Sequence, residues 1–106
     1  RNEYVREMIL GLLKEAGVQP PAESTNPNVE VGVWRGRESL MVFVVNHLNQ
    51  ASASTVTVNL SGDGKYVVQD FFNKEVCQSC QNGRKITFKV DLTNFQGKAY
   101  IVKKIS

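Results

Sequence analysis

The segment VEVGVWRGRESLMVFVVNHLNQASASTVTVNL, residues 29–60, decides the fold of this chain. In residues 29–33, valine occupies every second position, which leaves Trp34 on the opposite face. Residues 40–45 are apolar at every position, as expected of a central strand that is covered on both faces. Residues 55–60 alternate again between polar and apolar side chains. A period of two is typical of β-strands, so this segment alone predicts three of them.

The rest of the chain continues this pattern. We predict further strands at KYVVQDFF (65–72), KITFKVDL (85–92) and KAYIVKKI (98–105), with turn-forming sequences such as SGDGK and QNGR between them. Six strands at short intervals, without helices between them, indicate an antiparallel arrangement. We therefore predict an all-β fold, an antiparallel β-sandwich, with a small barrel as the alternative.

The N-terminal segment follows a helical period instead. Residues 3–16, EYVREMILGLLKEA, place apolar side chains three and four positions apart, which predicts an amphipathic helix. We assign residues 1–17 to this helix, as the remnant of a preceding domain or as an element that packs on the sandwich. Residues 18–28 contain all three prolines and are predicted to be a linker. Residues 29–106 are predicted to form the β-sandwich domain.

Length and charge narrow the classes of function. A chain of 106 residues with 42% apolar residues accommodates one domain with a single core. The longest apolar run is too short to cross a bilayer, so we expect no membrane partner. Residues 54–106 hold eight Lys/Arg against four Asp/Glu. These cations are not interleaved with aromatic residues, so we interpret them as solvent-facing and expect no nucleic-acid partner. The chain does not begin with Met, and we interpret it as a piece of a longer protein.

Cys77 and Cys80, in the segment CQSC, are the first candidates for chemistry. A redox pair needs a helix N-terminus to lower a thiol pKa, and none is predicted there. A zinc site needs two further ligands, and His47 is the one histidine the chain can offer. We therefore expect no metal and no cofactor, and either a loop disulfide between Cys77 and Cys80 or two plain thiols. Pairing of the cysteines would indicate an extracellular or periplasmic protein; otherwise the compartment stays open.

No catalytic constellation is evident in the sequence. His47 lies at the end of the central strand, where we expect a hydrogen-bonded structural histidine, and Asn46 is expected to hold the following loop. Glu30 and Asp91 alternate with apolar residues and should face solvent. No two acidic residues can be paired as the acid and base of a glycosidase. We therefore expect this chain to have no enzymatic activity of its own.

Trp34 is the candidate for binding a sugar, because aromatic rings stack on the apolar face of a pyranose. The competing interpretation is that the N-terminal helix or a neighbouring domain covers it, since large aromatic residues are mostly buried. We favour the second interpretation.

Several motifs together point to a known kind of domain. The helix ends in LLKEAGVQPPAE, the strand at 39–46 is followed by His47 so that it ends in Asn-His, and residues 70–76 read DFFNKEV. This order resembles the C-terminus of family 42-type β-galactosidases and related glycoside hydrolases, where comparable segments read EAGV, NH and DLLTGEEV. The resemblance implies an accessory β-domain, immunoglobulin-like or similar to the C-terminal domains of α-amylase-type enzymes. It also implies that the catalytic carboxylates reside in a (β/α)₈ barrel that this chain lacks. The CQSCQNG segment departs from the pattern, which has a shorter turn there.

We interpret the chain as a non-catalytic C-terminal accessory domain of a carbohydrate-active enzyme, which stabilises or positions the catalytic parent. Its partners would be the other domains of that enzyme, with an oligosaccharide as a further candidate. The alternatives are a carbohydrate-binding module that uses exposed aromatic residues, and an immunoglobulin-like protein-interaction module. A contiguous apolar patch that includes Tyr4, Met8 and Leu12 would favour domain packing.

Overall fold

A computed structural model describes residues 2–16, 22–37 and 39–106 of the chain. The described residues form one helix and nine strands in two antiparallel sheets, which confirms the predicted all-β sandwich with an N-terminal helix. The elements are α1 (Asn2–Ala16), β1 (Ala22–Ser24), β2 (Val29–Arg35), β3 (Ser39–Asn46), β4 (Ser52–Asn59), β5 (Tyr66–Asp70), β6 (Val76–Cys77), β7 (Ser79–Asn82), β8 (Lys85–Leu92) and β9 (Gly97–Lys104).

Three of these strands were not predicted. Strand β1 lies inside the segment assigned as a linker, where it pairs with β4. Strands β6 and β7 occupy the segment expected to be an irregular loop. All three are two to four residues long, too short for an alternating pattern to show in the sequence. Residues 18–21 of the predicted linker, and residue 17 of the predicted helix, lie outside the described residues.

The strands divide between a four-stranded sheet, in the order β1-β4-β8-β7, and a five-stranded sheet, in the order β2-β3-β9-β5-β6. Every pairing is antiparallel. The chain crosses from the five-stranded to the four-stranded sheet at Gln78, between the edge strands β6 and β7. One flank of the sandwich is therefore closed by a direct strand-to-strand crossing.

The main core lies between the two sheets. Alternate residues of the paired strands point into it, and the ring of Phe88 meets that of Tyr100 edge to face at 5.1 Å between centroids. The buried members of this core are Val29, Val31, Leu40, Val42, Val44, Val56, Val58, Leu60, Val68, Ile86, Phe88, Val90, Leu92, Tyr100 and Val102.

A second, smaller core lies on the outer face of the five-stranded sheet, under the helix. Ile9 is fully buried there against Phe43, Val45 and Ala99. Strand β3 thus contributes alternate residues to both cores, as its uninterrupted apolar sequence predicted. The helix comes so close to β9 that a Cβ atom on Gly97 would lie 3.1 Å from Cδ1 of Ile9 and 3.3 Å from Cα of Arg6.

We expect the substitution Gly97→Ala to destabilise the protein by about 1–2 kcal/mol, because the added methyl group pushes the helix away from β9. Gly11→Ala is the matched control, since a Cβ atom at this exposed helical position meets nothing within 4 Å. It should stabilise the protein by about 0.5–1 kcal/mol through helix propensity. Urea denaturation of the two variants measures both effects. Equal changes in the two variants would contradict close packing of the helix on β9.

Asn46, at the end of β3, is fully buried and has all its side-chain atoms in hydrogen bonds. Its Nδ2 donates to the carbonyls of Gln50 and Thr93, both at 2.9 Å, and its Oδ1 accepts from the backbone N–H of Leu48 at 3.0 Å. One amide thereby connects the β3–β4 loop to the β8–β9 loop. The predicted loop-holding role of Asn46 is confirmed.

Asn46→Ala should lower the free energy of unfolding by about 2–4 kcal/mol, because it removes three hydrogen bonds made by a fully buried side chain. Asn49→Ala removes a single exposed amide contact to Asn94 and should change stability by less than about 1 kcal/mol. Thermal or chemical unfolding of both variants provides the comparison. A loss at Asn46 no larger than that at Asn49 would mean that the loops do not depend on this amide.

Candidate functional site

His47 is held between the helix and the edge strand β2. Its Nε2 lies 2.9 Å from Oε1 of Glu30, and its Nδ1 lies 3.4 Å from Nη2 of Arg6. A guanidinium group can only donate, so we assign Nδ1 as the acceptor and Nε2–H as the donor to Glu30. The Arg6 guanidinium in turn lies over the ring of Phe95, 5.4 Å from its centroid.

This arrangement matches a structural histidine rather than a catalytic one. Both ring nitrogens of His47 are occupied, and no hydroxyl or thiol of a described residue hydrogen bonds to it. Glu30 differs from the expectation of a freely solvated carboxylate, because it lies on the helix-bearing face of β2 and binds His47. Asp91 is exposed, as expected.

Trp34 lies at the C-terminal end of β2, on the same outer face as the helix. Its indole N–H donates to the carbonyl of Leu12 at 3.1 Å, and its ring meets that of Phe43 edge to face at 6.2 Å. The side chain remains 38% exposed. These contacts support the interpretation that the helix covers Trp34, while its role in sugar binding stays a prediction.

Cys77 and Cys80 belong to different sheets and are both free thiols in the structure. Cys77 pairs with the core residue Val68 and packs against the main core, so it points between the sheets. Cys80 pairs with Thr87, which lies on the outer face of the four-stranded sheet. A disulfide would require one of the two side chains to turn to the other face. Burial raises the pKa of the Cys77 thiol, and the nearby Asp70 carboxylate adds to this shift.

We expect both thiols to react with an aromatic disulfide reagent at neutral pH, without prior reduction. Cys80 should react first, because it is exposed whereas the half-buried Cys77 has a raised thiol pKa. The variant Cys80→Ser leaves only the slowly reacting thiol of Cys77, and the variant Cys77→Ser leaves only the rapidly reacting thiol of Cys80. Recovery of two thiols only after reduction would establish the disulfide instead.

The described residues contain neither a cluster of metal-ligating side chains nor a membrane-spanning helix. No group of three or more His, Cys, Asp or Glu side chains among them could hold a metal ion. Within the same part of the chain, no helix is long and apolar enough to cross a membrane.

The β5–β6 hairpin presents an exposed apolar surface that was not predicted from the sequence. Phe71, Phe72 and Val76 are 38%, 49% and 67% exposed, and we name these three side chains the hairpin patch. The sequence contained a signal in the tandem phenylalanines, but it did not indicate which way they face.

The turn that carries the hairpin patch is well fixed by local hydrogen bonds. Oδ1 of Asp70 accepts from the backbone N–H groups of Phe72 at 2.8 Å and Asn73 at 3.1 Å. Lys74 adopts a positive φ of 67°, and its ammonium group donates to the Phe71 carbonyl at 2.9 Å while lying over the Phe71 ring. The apolar side chains are thus held outward by a defined turn.

The hairpin patch continues a row of side chains that crosses the whole outer face of the five-stranded sheet. Directly paired residues in antiparallel strands share a face. The register therefore places five residues in this row, namely Trp34, Met41, Ile101, Gln69 and Val76. The helix lies over the Trp34 end, because it contacts β2, β3 and β9, and the Val76 end is open.

Comparison with solved structures finds this fold inside much longer proteins. The chain is similar to a part of alpha-L-fucosidase isoenzyme 2 from Paenibacillus thiaminolyticus, with a TM-score of 0.65 and 13% identity over 94% of this chain and 18% of the other. A glycoside hydrolase family 30 subfamily 8 xylanase from Clostridium acetobutylicum gives a TM-score of 0.50 and 9% identity over 92% of this chain and 28% of the other. A GH42 beta-galactosidase from G. stearothermophilus gives a TM-score of 0.49 and 16% identity over 99% of this chain and 13% of the other.

No protein-family model matches the chain, and no curated protein matches its sequence. The chain spans less than a third of the length of each of these solved structures. At such low identities the similarity concerns the fold alone. The helix and β-sandwich described here have the fold of a domain that occurs within longer glycoside hydrolase chains.

Proposed function

We propose that this chain is a non-catalytic accessory domain of a carbohydrate-active enzyme, and that it packs against the other domains of that enzyme. The observation that carries the proposal is the half-covered outer face of the five-stranded sheet. The helix covers this face over β2, β3 and β9, while the hairpin patch beyond it is exposed. Exposed apolar surface in a fixed conformation is typical of surfaces that contact another protein element.

The energetics are compatible with docking at this position. Complete burial of a phenylalanine or valine side chain contributes roughly 1.5–3 kcal/mol, and the side chains of the hairpin patch are already partly buried. Their docking would therefore contribute about 1 kcal/mol each. Such a contribution suits an interface between domains of one polypeptide, because covalent connection supplies a high effective concentration.

The fold similarity is consistent with this role, since the matched proteins are glycoside hydrolases of which this fold forms a minor part. A C-terminal position and a relationship to family 42 remain parts of the proposal that rest on the sequence resemblance. The absence of activity in this chain is proposed from the occupied nitrogens of His47. On the helix, Tyr4 and Met8 are exposed as the domain-packing hypothesis requires, whereas Leu12 packs toward the sheet.

The alternatives are less well supported. A carbohydrate-binding module centred on Trp34 would need its ring free, and the helix engages the indole N–H. An immunoglobulin-like interaction module would use the same exposed surface as the proposed domain contact. It would differ in having its partner on another polypeptide.

The test uses the complete protein that contains this chain and the chain by itself. The double substitution Phe71→Ser/Val76→Ser should lower the melting temperature of the complete protein by several degrees, because it removes about 2 kcal/mol of interface contacts. The isolated chain should change by much less, because both side chains are exposed there. Calorimetry of both proteins measures the difference.

Ile105→Ser provides the control, because it replaces another exposed apolar residue at the opposite end of the sheet. It should leave both melting temperatures nearly unchanged. If the double substitution lowers the stability of the isolated chain as much as that of the complete protein, the hairpin patch is not a docking surface. Hydrolysis of a glycoside by the isolated chain would contradict the non-catalytic role.

A further inference from the structure

Seven Lys and Arg residues of this protein lie at one end of the sandwich, together with the acidic residue Asp63. At this end lie the end of β2, the start of β5, the start of β8 and the end of β9, together with the loops that join them. These strand ends are remote in sequence, and antiparallel pairing brings them together. The described cations located there are Arg35, Arg37, Lys65, Arg84, Lys85, Lys103 and Lys104.

The opposite end carries charges of both signs. Among the described residues, Glu30, Asp70, Glu75 and Asp91 lie near that end with Arg6, Lys74 and Lys98. The net charge of the chain is only +3, but the positive charge is distributed unevenly between the two ends of the sandwich. A surface of one sign attracts ligands of the opposite sign over distances of about a Debye length, roughly 8–10 Å.

Two of these cations already have a hydrogen-bond partner, and one of the partners is a carboxylate. Nε of Arg84 donates to Oδ1 of Asp63 at 3.1 Å, and the Arg35 guanidinium donates to the carbonyl of Asn59 at 3.3 Å. The hydrogen bond and charge of Arg84 lower the pKa of the Asp63 carboxyl, and the charge of Lys104 lowers it further. A carboxylate at this end is thus held in its ionised form by the surrounding cations.

Two cations of this end, Arg37 and Lys104, line one groove, and Lys104 also acts on the Asp63 carboxylate at longer range. Neither Arg37 nor Lys104 forms an ion pair or a side-chain hydrogen bond with a described residue. They line a half-open groove of about 490 Å³ together with the hydroxyl-bearing residues Ser39, Ser61, Tyr66 and Ser106. The groove therefore offers two positively charged side chains and four hydroxyl-bearing residues to one ligand.

We propose that this groove binds the carboxylate or sulfate group of an acidic oligosaccharide. A guanidinium group forms paired hydrogen bonds with a planar carboxylate or with two sulfate oxygens, and an ammonium group adds a compact charge. The serine and tyrosine hydroxyls suit the hydroxyl groups of a sugar ring, since both sides can donate and accept.

Nucleic acid is the less suitable polyanion. Single-stranded nucleic acid is held by exposed aromatic rings on which bases stack, and the aromatic residue of this groove, Tyr66, is half-buried. A protein reads the sequence of duplex DNA with an element that enters a groove of the DNA. The helix of this chain is not placed to do so beside the cationic groove, because it packs on the outer face of the five-stranded sheet.

The choice of a glycan as ligand rests on the proposed function, whereas the charged groove does not. The groove lies at the opposite end of β5 from the hairpin patch, so the two surfaces can be tested separately. Loss of glycan binding would leave the docking test of the preceding subsection unaffected, and failure of that test would leave the groove in place.

The experiment is a calorimetric titration of this chain at low salt with four probes: a galacturonic acid trimer, a heparin-derived tetrasaccharide, a neutral galactose trimer and a single-stranded DNA 12-mer. We expect one or both acidic oligosaccharides to bind at least tenfold more tightly than the neutral trimer. Preference between the two distinguishes a carboxylate from a sulfate ligand. Binding should weaken as salt is raised, because the contacts are exposed and ionic.

The variants Arg37→Gln and Lys104→Gln should each weaken binding about two- to fivefold, the range for one exposed charge contact. Lys89→Gln is the matched control, because it removes one exposed charge from the middle of β8 and should leave affinity unchanged. Unchanged melting temperatures establish that the variants are folded.

Three results would overturn the proposal. The first is equal binding of acidic and neutral oligosaccharides, or no binding of any. The second is unchanged binding of the acidic oligosaccharides by the double variant Arg37→Gln/Lys104→Gln, or loss of that binding in the variant Trp34→Ala. The third is DNA binding at least as tight as that of the acidic oligosaccharides, which would assign the groove to nucleic acid.

Discussion

The structure depends on the fact that strand β3 must be covered on both faces. Leu40, Val42 and Val44 enter the core between the sheets, and Phe43 and Val45 point the opposite way. A two-layer sandwich buries one face of each sheet, so it leaves the second set of side chains exposed to water. The N-terminal helix supplies the missing cover, with Ile9 buried against this set. The helix packs closely on the sandwich, and at Gly97 the absence of a side chain leaves room for Ile9 and the backbone of Arg6.

The same constraint determines where other surfaces are available. A single helix of fifteen residues covers about three strands, and the five-stranded sheet is wider than that. Strands β5 and β6 therefore keep an open outer face, and the turn after Asp70 holds the hairpin patch in a fixed conformation there. At the edge where the helix lies over β2, His47 lies between Arg6 and Glu30 and contacts both through its ring nitrogens, so it connects the helix to the edge strand.

The sequence allowed prediction of the features that depend on local pattern. The two-faced strand β3, the amphipathic helix and the loop-holding role of Asn46 each follow from a few adjacent residues. The short strands β1, β6 and β7 could not be predicted, because their pairing partners decide their conformation. For the same reason Cys77 and Cys80 were expected in one loop, whereas they lie in two sheets. The cationic groove was missed because Arg37 and Lys104 are brought together only by the topology.

The residues that determine the fold differ from those that form the candidate binding surfaces. The core lies between the sheets and under the helix, whereas the surfaces lie at the strand ends and on the open part of one sheet face. The core residues are almost all aliphatic or aromatic, and they specify the sandwich whatever it binds. The cations at the strand ends contribute little to stability, since exposed charges of like sign repel and neither Arg37 nor Lys104 forms a close ion pair with a described residue. A concentration of such charges at one end therefore has no structural explanation in the described residues. A ligand that neutralises Arg37 and Lys104 would remove this repulsion, so binding at the groove should also stabilise the strand ends that form it.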